Sequence, residues 1–147
     1  MGLTLVHFAC GAFQDWPEFE RLAGRVWDPK LRGRDPYGPF EVVIRDPEHP
    51  ATKGLQPFTT VDELYTCLTG KTPIHVVASA RSVVDGKDCP MAFVLQAGRG
   101  RVFHSVLGHD AQALRNPGVG LLMRRGCAWT CGLLPGPRTA SRGSLDP

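Results

Sequence analysis

Nothing in this 147-residue chain supplies a ready-made catalytic signature. It has no GxGxxG, no phosphate-binding loop, no HExxH and no GxSxG elbow, so dinucleotide, nucleoside-triphosphate and ordinary serine-hydrolase readings lack their warrants. It has no long hydrophobic run either. The opening "MGLTLVHFACGAF" is apolar only briefly, meets a histidine and has no basic n-region, so this stretch reads as neither a signal peptide nor a membrane span, and a cytoplasmic location is the expectation. A net charge of +3 is mild, and apart from Arg124-Arg125 and the Arg99/Arg101 pair the basic residues are scattered. Nucleic acid is therefore not an expected partner. Five cysteines in neither a paired nor a CxxC pattern exclude a disulfide framework and read as reduced thiols. There is no internal repeat.

What is present is one domain's worth of ordinary globular composition, 42% hydrophobic and 21% charged, with 17 Gly and 13 Pro to make many loops. "GLTLVHFACGAF" reads as a strand, Leu3 to Val6, running into a tight corner that carries His7. "QDWPEFERLAG" follows as a helix, with Asp15 as N-cap, Glu18 completing a capping box and Gly24 as the stop. Trp16, Phe19 and Leu22 make its core face. Residues 28 to 39 are punctuated by Pro and Gly and read as irregular. "FEVVIRD" is a strand, and Thr60 to Leu64 is a strand entering a turn, where Asp62 and Glu63 are consecutive carboxylates of the kind found on solvated turns. "TPIHVVASA" is a clear strand, with His75 on its more polar face. "PMAFVLQAG" and "RGRVFHSVL" form an antiparallel hairpin in which His104 is structural. A short helical turn and a longer helix opening at Pro117 come last, the longer one with Leu121, Leu122 and Cys131, together with Cys127 or Ala128, turned inward and Arg124 and Arg125 outward. The domain spans residues 1–133, and residues 134–147 form a disordered tail.

The chemistry has to come from a constellation instead of a motif. His7 follows the first strand, Glu63 sits at a strand–turn boundary, and His109 follows the last strand in "LGHD". Two imidazoles and a carboxylate can hold a divalent metal with an open position, or act without metal as a general acid/base set. The residues alone leave both open. Cys10, three residues after His7, is the one thiol placed to be a nucleophile, although a small buried cysteine is the commoner occupant of such a corner. Trp16 and Trp129 could stack on a sugar, but each falls on a helix face that suits core packing.

Several segments in order resemble the ThuA-like family, which is associated with trehalose utilisation. The D-x-x-HP-I-T-x-GL segment is matched by Asp46, His49, Pro50, Ala51, Thr52, Gly54 and Leu55. The DELY segment is Asp62 to Tyr65, the GRVF-x-x-x-LGHD segment is Gly100 to Asp110, and the N-terminal stretch resembles the family's G-x-V-G-x-H turn and W-P-E-F helix. The resemblance covers nearly all of residues 3 to 133. It implies an α/β fold, a flavodoxin-like (class I glutamine-amidotransferase-like) parallel sheet flanked by helices, with a C-terminal β-hairpin and helix. It also implies a role on trehalose or keto-disaccharides, with a small-molecule carbohydrate as partner. Where amidotransferases carry a catalytic cysteine the corner here carries His7, so amidotransferase chemistry is not implied, and His7, Glu63 and His109 are expected to act together as acid/base residues or ligands of a divalent metal. His49 lies in a matching segment, where an x-His-Pro turn suits a structural role. Members of the family begin with several βα units before the equivalent of Leu3. The expectation is accordingly that the N-terminal strands are missing and that a second copy or a partner covers the exposed sheet face. A non-catalytic sugar-binding module or an inactive truncated remnant are the alternatives.

Overall fold

β-Branched and aromatic residues recur between residues 75 and 105, and they build the centre of the sheet. In the computed structural model, which describes residues 1–134, β6 (His75–Arg81), β7 (Asp88–Ala97) and β8 (Gly100–Ser105) form an antiparallel meander. The tail expected to be disordered lies outside the described residues except for Leu134. β1 (Gly2–Val6) adds to β8 in parallel, with Leu5 opposite His104. On the other side β3 (Gly38–Ile44) pairs with β6 and β4 (Phe58–Asp62) pairs with β3, both antiparallel. The six-stranded order is β1-β8-β7-β6-β3-β4.

The expectation of a parallel sheet is corrected here. Parallel neighbours need long crossover connections, whereas short loops join β6 to β7 and β7 to β8, and the β1–β8 pair is joined only through the rest of the described chain. A flavodoxin-like sheet would need further parallel strands, and the described residues contain one parallel pair. A second, two-stranded sheet joins β2 (Val26–Trp27) to β5 (Leu68–Thr69).

Alternation along the strands divides the core between two faces. Phe103, Met91, Val77 and Val42 face one way and pack with Val119, Leu122 and Trp129 of α3 (Pro117–Thr130). Val102, Phe93 and Leu95 face the other way, and Leu5 on that side packs with Phe19 and Ala23 of α1 (Pro17–Ala23). Buried His104 follows this second face: its Nδ1 lies 2.9 Å from the Ala23 carbonyl, so it ties β8 to the end of α1. Burial pushes its pKa down to about 4 and keeps it neutral.

Helix ends depart from expectation in one place. The N-cap of α1 is Trp16 with no side-chain cap, and Pro17 holds the first helical position. Proline, with φ preset and no N–H to satisfy, starts the helix there and leaves Asp15 one residue too early for its capping box. Gly24 ends α1 at φ 74°, as read from the sequence. α2 (Ala111–Arg115) is capped by Asp110, and α3 by Asn116, each through its side chain.

Two expectations about buried faces fail. Trp16 is exposed, in ring contact with Phe13 and Phe19, and Cys127 of α3 and Cys131, its C-cap, are exposed. The inner stripe of α3 is Val119, Leu122, Gly126, Trp129 and Thr130, which turns both cysteines outward. Gly126 fixes that rotation, because a Cβ there would stand 2.4 Å from the Phe103 ring. Among the described residues no helix is long and apolar enough to cross a membrane.

Candidate functional site

Three element ends meet beyond β1, β4 and β8. His7 begins the 3-10 turn (His7–Gly11) that follows β1, and its φ of 50° lies in the left-handed region. A non-glycine residue held there costs about 1–3 kcal/mol, a strain that concentrates at functional sites. Glu63 is the residue after β4, and His109 follows β8 by four residues.

One buried carboxylate holds two of these ends together. Asp62, fully buried, accepts the backbone N–H of Glu63 at 2.8 Å, of Gly108 at 2.7 Å and of His109 at 3.1 Å. The sequence suggested a solvated turn for Asp62 and Glu63. Instead Asp62 serves as a clamp and Glu63 is 8% exposed, because the end of β4 lies beneath the Gly108–His109 corner.

The functional side chains converge in front of this clamp. Nε2 of His7 lies 3.3 Å from Nδ1 of His109, and Oε2 of Glu63 lies 3.2 Å from His109 Nδ1 and 3.8 Å from His7 Nε2. Glu63 divides its oxygens, since Oε1 is taken by Nε of Arg34 at 2.6 Å, leaving Oε2 toward the histidines. Nδ1 of His7 lies 3.2 Å from the Val106 carbonyl, so with the proton on Nδ1 its Nε2 lone pair points into the cluster. The phenol oxygen of buried Tyr65 is 3.0 Å from that same Nε2. Burial first, and then the Glu63 carboxylate, push the Tyr65 hydroxyl well above the usual phenol range.

The geometry suits an ion. A triangle whose edges are those three ligand–ligand distances has a circumradius of about 2.0 Å, equal to the ~2.0–2.1 Å at which zinc meets imidazole nitrogen or carboxylate oxygen. A cation in or just above that plane reaches all three atoms and keeps an open side. This is the one group of three or more metal-ligating side chains that converges in this way among the described residues.

A second ring of residues was not legible in the sequence. The irregular stretch between β2 and β3 brings in Arg34, which is bridged to Tyr65 through the backbone, and Tyr37, whose hydroxyl donates to Asp110 at 2.7 Å. That stretch is anchored by buried Asp35. Its carboxylate accepts from Arg32 at 2.7 Å, from the Ser82 hydroxyl at 2.9 Å and from the Val83 N–H at 2.8 Å. Burial alone would raise the Asp35 pKa, but these donors outweigh it and the pKa is lowered. Asp110 is also lowered, by the Ala113 N–H first and then by Tyr37. Aromatic rings run through the site in contact: Trp27 with Phe8, Phe8 with Tyr65, Tyr65 with His7, His7 with His109, and His109 with Tyr37. Phe8 and Tyr37 remain 50% and 41% exposed.

A family model described as trehalose utilisation matches residues 1–130. The chain belongs to the ThuA family. Two solved structures are similar to this ThuA-family chain. A ThuA-like protein from Parabacteroides merdae ATCC 43184 is 26% identical with a TM-score of 0.79, the match covering 88% of this chain and 60% of that one. A ThuA-like protein from Bacteroides uniformis ATCC 8492, 22% identical with a TM-score of 0.68 over 88% of this chain and 58% of its own, shares the fold. The chain thus spans about three-fifths of the length of these solved relatives. No curated protein matches it. A role in carbohydrate metabolism is what membership of the ThuA family suggests.

Other candidates fall outside this site. His49 is buried in its turn: its Nδ1 accepts the Ala51 N–H at 3.1 Å, and its ring packs on Trp129, as a structural residue would. Cys10 is buried, and desolvation together with the neighbouring Cys67 pushes its thiol up to about 12, which removes it as a nucleophile. His75 is exposed on β6 and pairs with Asp46 at 2.6 Å.

Proposed function

We propose that His7, Glu63 and His109 hold a divalent cation, and that the open side of this cluster transforms a carbohydrate, a disaccharide of the trehalose type or its keto derivative. The observation that carries the reading is the convergence of two imidazole nitrogens and one carboxylate oxygen on a circle of about 2.0 Å radius, which is one metal–ligand distance. When bound, such an ion supplies Lewis acidity toward a sugar hydroxyl or carbonyl oxygen. Arg34 fixes the Glu63 carboxylate so that one oxygen stays turned inward. Phe8 and Tyr37 offer half-exposed rings on which the apolar face of a pyranose can stack, one against Tyr65 and the other against His109.

The exposed rings by themselves also favour a second reading, a carbohydrate-binding module without catalysis on the same fold. Elemental analysis of the purified protein separates the two, followed by a screen of disaccharides and keto-sugars. The catalytic reading expects about one divalent ion per chain, lost in His7→Ala and in His109→Ala, and turnover of at least one sugar that disappears with the ion. Sugar binding with no ion and no turnover supports the module, and neither ion nor sugar binding contradicts both readings.

A further inference from the structure

We propose that the cleft between the free edge of β4 and α2 is a second sugar subsite, which takes the ring of a disaccharide that does not meet the cation. The proposal rests on the carbohydrate reading above. It starts from backbone groups left over at the edge of the sheet. β4 pairs with β3 alone, and Asn116 Nδ2 donates to the Thr59 carbonyl at 2.8 Å, so Thr59 turns its backbone groups away from β3. Val61, two residues on, turns the same way, and opposite it stands Pro39, which has no N–H to offer. Neither the N–H nor the carbonyl of Val61 has a partner among the described residues.

Side chains in the cleft are equally unspent. Thr59, Thr60 and Val61 line one wall, and Gln112, Arg115 and Asn116 the other. Gln112 and Arg115 are exposed, and neither side chain has a hydrogen-bond or ion-pair partner among the described residues. The Thr60 hydroxyl is buried with no partner. Alternation puts it on the face of β4 that carries Phe58 and Asp62, and the closeness of Phe58 to Gly118 and of Asp62 to Gly108 and His109 turns that face toward the two helices.

This array selects its ligand. A peptide strand cannot extend the sheet here, because Asn116 already holds the Thr59 carbonyl and α2 packs along the edge. An anion would find one cation but would also face the Val61 carbonyl. Hydroxyls donate and accept at once, so the hydroxyls of a sugar can satisfy a carbonyl, an N–H, an amide and a guanidinium together. A cleft of about 370 Å3 is near the lower limit for small-molecule sites, which suits one ring rather than a longer chain. Both of its walls run on into the ion site: β4 continues through Asp62 to Glu63, and α2 is preceded by His109 and Asp110. From Val61 to Glu63 an extended strand rises about 7 Å, comparable to the step from one pyranose ring to the next.

Gln112→Ala and Arg115→Ala test the subsite. Both positions are exposed on α2 and alanine is a good helix former, so the fold survives. The probes are trehalose and glucose, titrated calorimetrically into the protein at saturating Co2+. The parent should bind trehalose about tenfold more tightly than glucose, the equivalent of one or two added hydrogen bonds. Each variant should lose about fivefold in trehalose affinity and keep its affinity for glucose. Trehalose binding that is unchanged in both variants, or that falls only in step with glucose, would overturn the subsite. A parent that binds glucose as tightly as trehalose would overturn it too, while leaving the carbohydrate reading intact. Binding of neither sugar by the parent overturns that reading and the subsite together.

Discussion

Replacing Asp62 by alanine should damage the fold and the site together, in proportions that the structure sets. The carboxylate is fully buried and accepts three backbone N–H groups, those of Glu63, Gly108 and His109. Each hydrogen bond to a charged acceptor contributes roughly 1.5–3 kcal/mol, and a buried donor left alone costs about 1–3 kcal/mol. Gly108 and His109 lie near enough to the surface for water to recover part of that loss. The net cost of Asp62→Ala is then about 3–5 kcal/mol. At ~2–4 °C per kcal/mol for a chain of this size, the melting temperature should fall by about 10 °C or more. Asp62→Asn keeps the shape and one acceptor oxygen, and should lose about 1–2 kcal/mol. Circular dichroism melts measure both variants, and Co2+ titration of each follows the site, where affinity should fall because Glu63 and His109 hang from the same carboxylate. An Asp62→Ala protein within about 1 kcal/mol of the parent, with unchanged Co2+ affinity, would refute the clamp.

Acid should destabilise the protein before its carboxylates titrate. His104 has its pKa lowered by burial from 6.5 to about 4, so the unfolded chain gains a proton that the folded chain refuses. The stability it contributes is present above pH ~6.5 and is lost as pH falls toward 4, amounting to about 3 kcal/mol; urea titrations at stepped pH should show this slope, and show it flattened in His104→Asn. Gly126→Ala puts a Cβ 2.4 Å from the Phe103 ring and should cost about 1–3 kcal/mol by overpacking, despite alanine's better helix propensity; a thermal melt at or above that of the parent would show that α3 shifts freely. A colorimetric thiol count on the native protein should find two reactive cysteines, Cys127 and Cys131, and five after unfolding, because Cys10, Cys67 and Cys89 are buried.

Those elements whose information is local were legible in the sequence. The alternation in residues 75–81 and 88–105, the glycine stop at Gly24 and the proline opening at Pro117 each act over a few residues, and each element stands where it was expected. His7, Glu63 and His109 were identified because an element's end is visible locally, and the structure brings all three within hydrogen-bonding or ion-pairing reach. What was missed depends on contacts between distant segments. Nothing near Asp62 signals that Gly108 and His109, some 46 residues on, will donate to it. Arg34 and Tyr37 lie in a stretch with no periodicity, and they reach the site only because Asp35 is anchored on Ser82 and Val83. The parallel sheet was expected by resemblance, while short loops that permit only antiparallel pairing join β6, β7 and β8 at the centre of this sheet. The cysteines of α3 were assigned to the wrong face because spacing alone does not rotate a helix; the close approach of Gly126 to Phe103 does.

The central claim is that two imidazoles and a carboxylate form one ion site, and anomalous diffraction from crystals soaked in Co2+ tests it most directly. The account predicts a single strong peak about 2.0–2.2 Å from His7 Nε2, His109 Nδ1 and Glu63 Oε2, absent in His109→Ala crystals. A cluster without a peak at saturating Co2+, or a peak bound elsewhere on the chain, would contradict it.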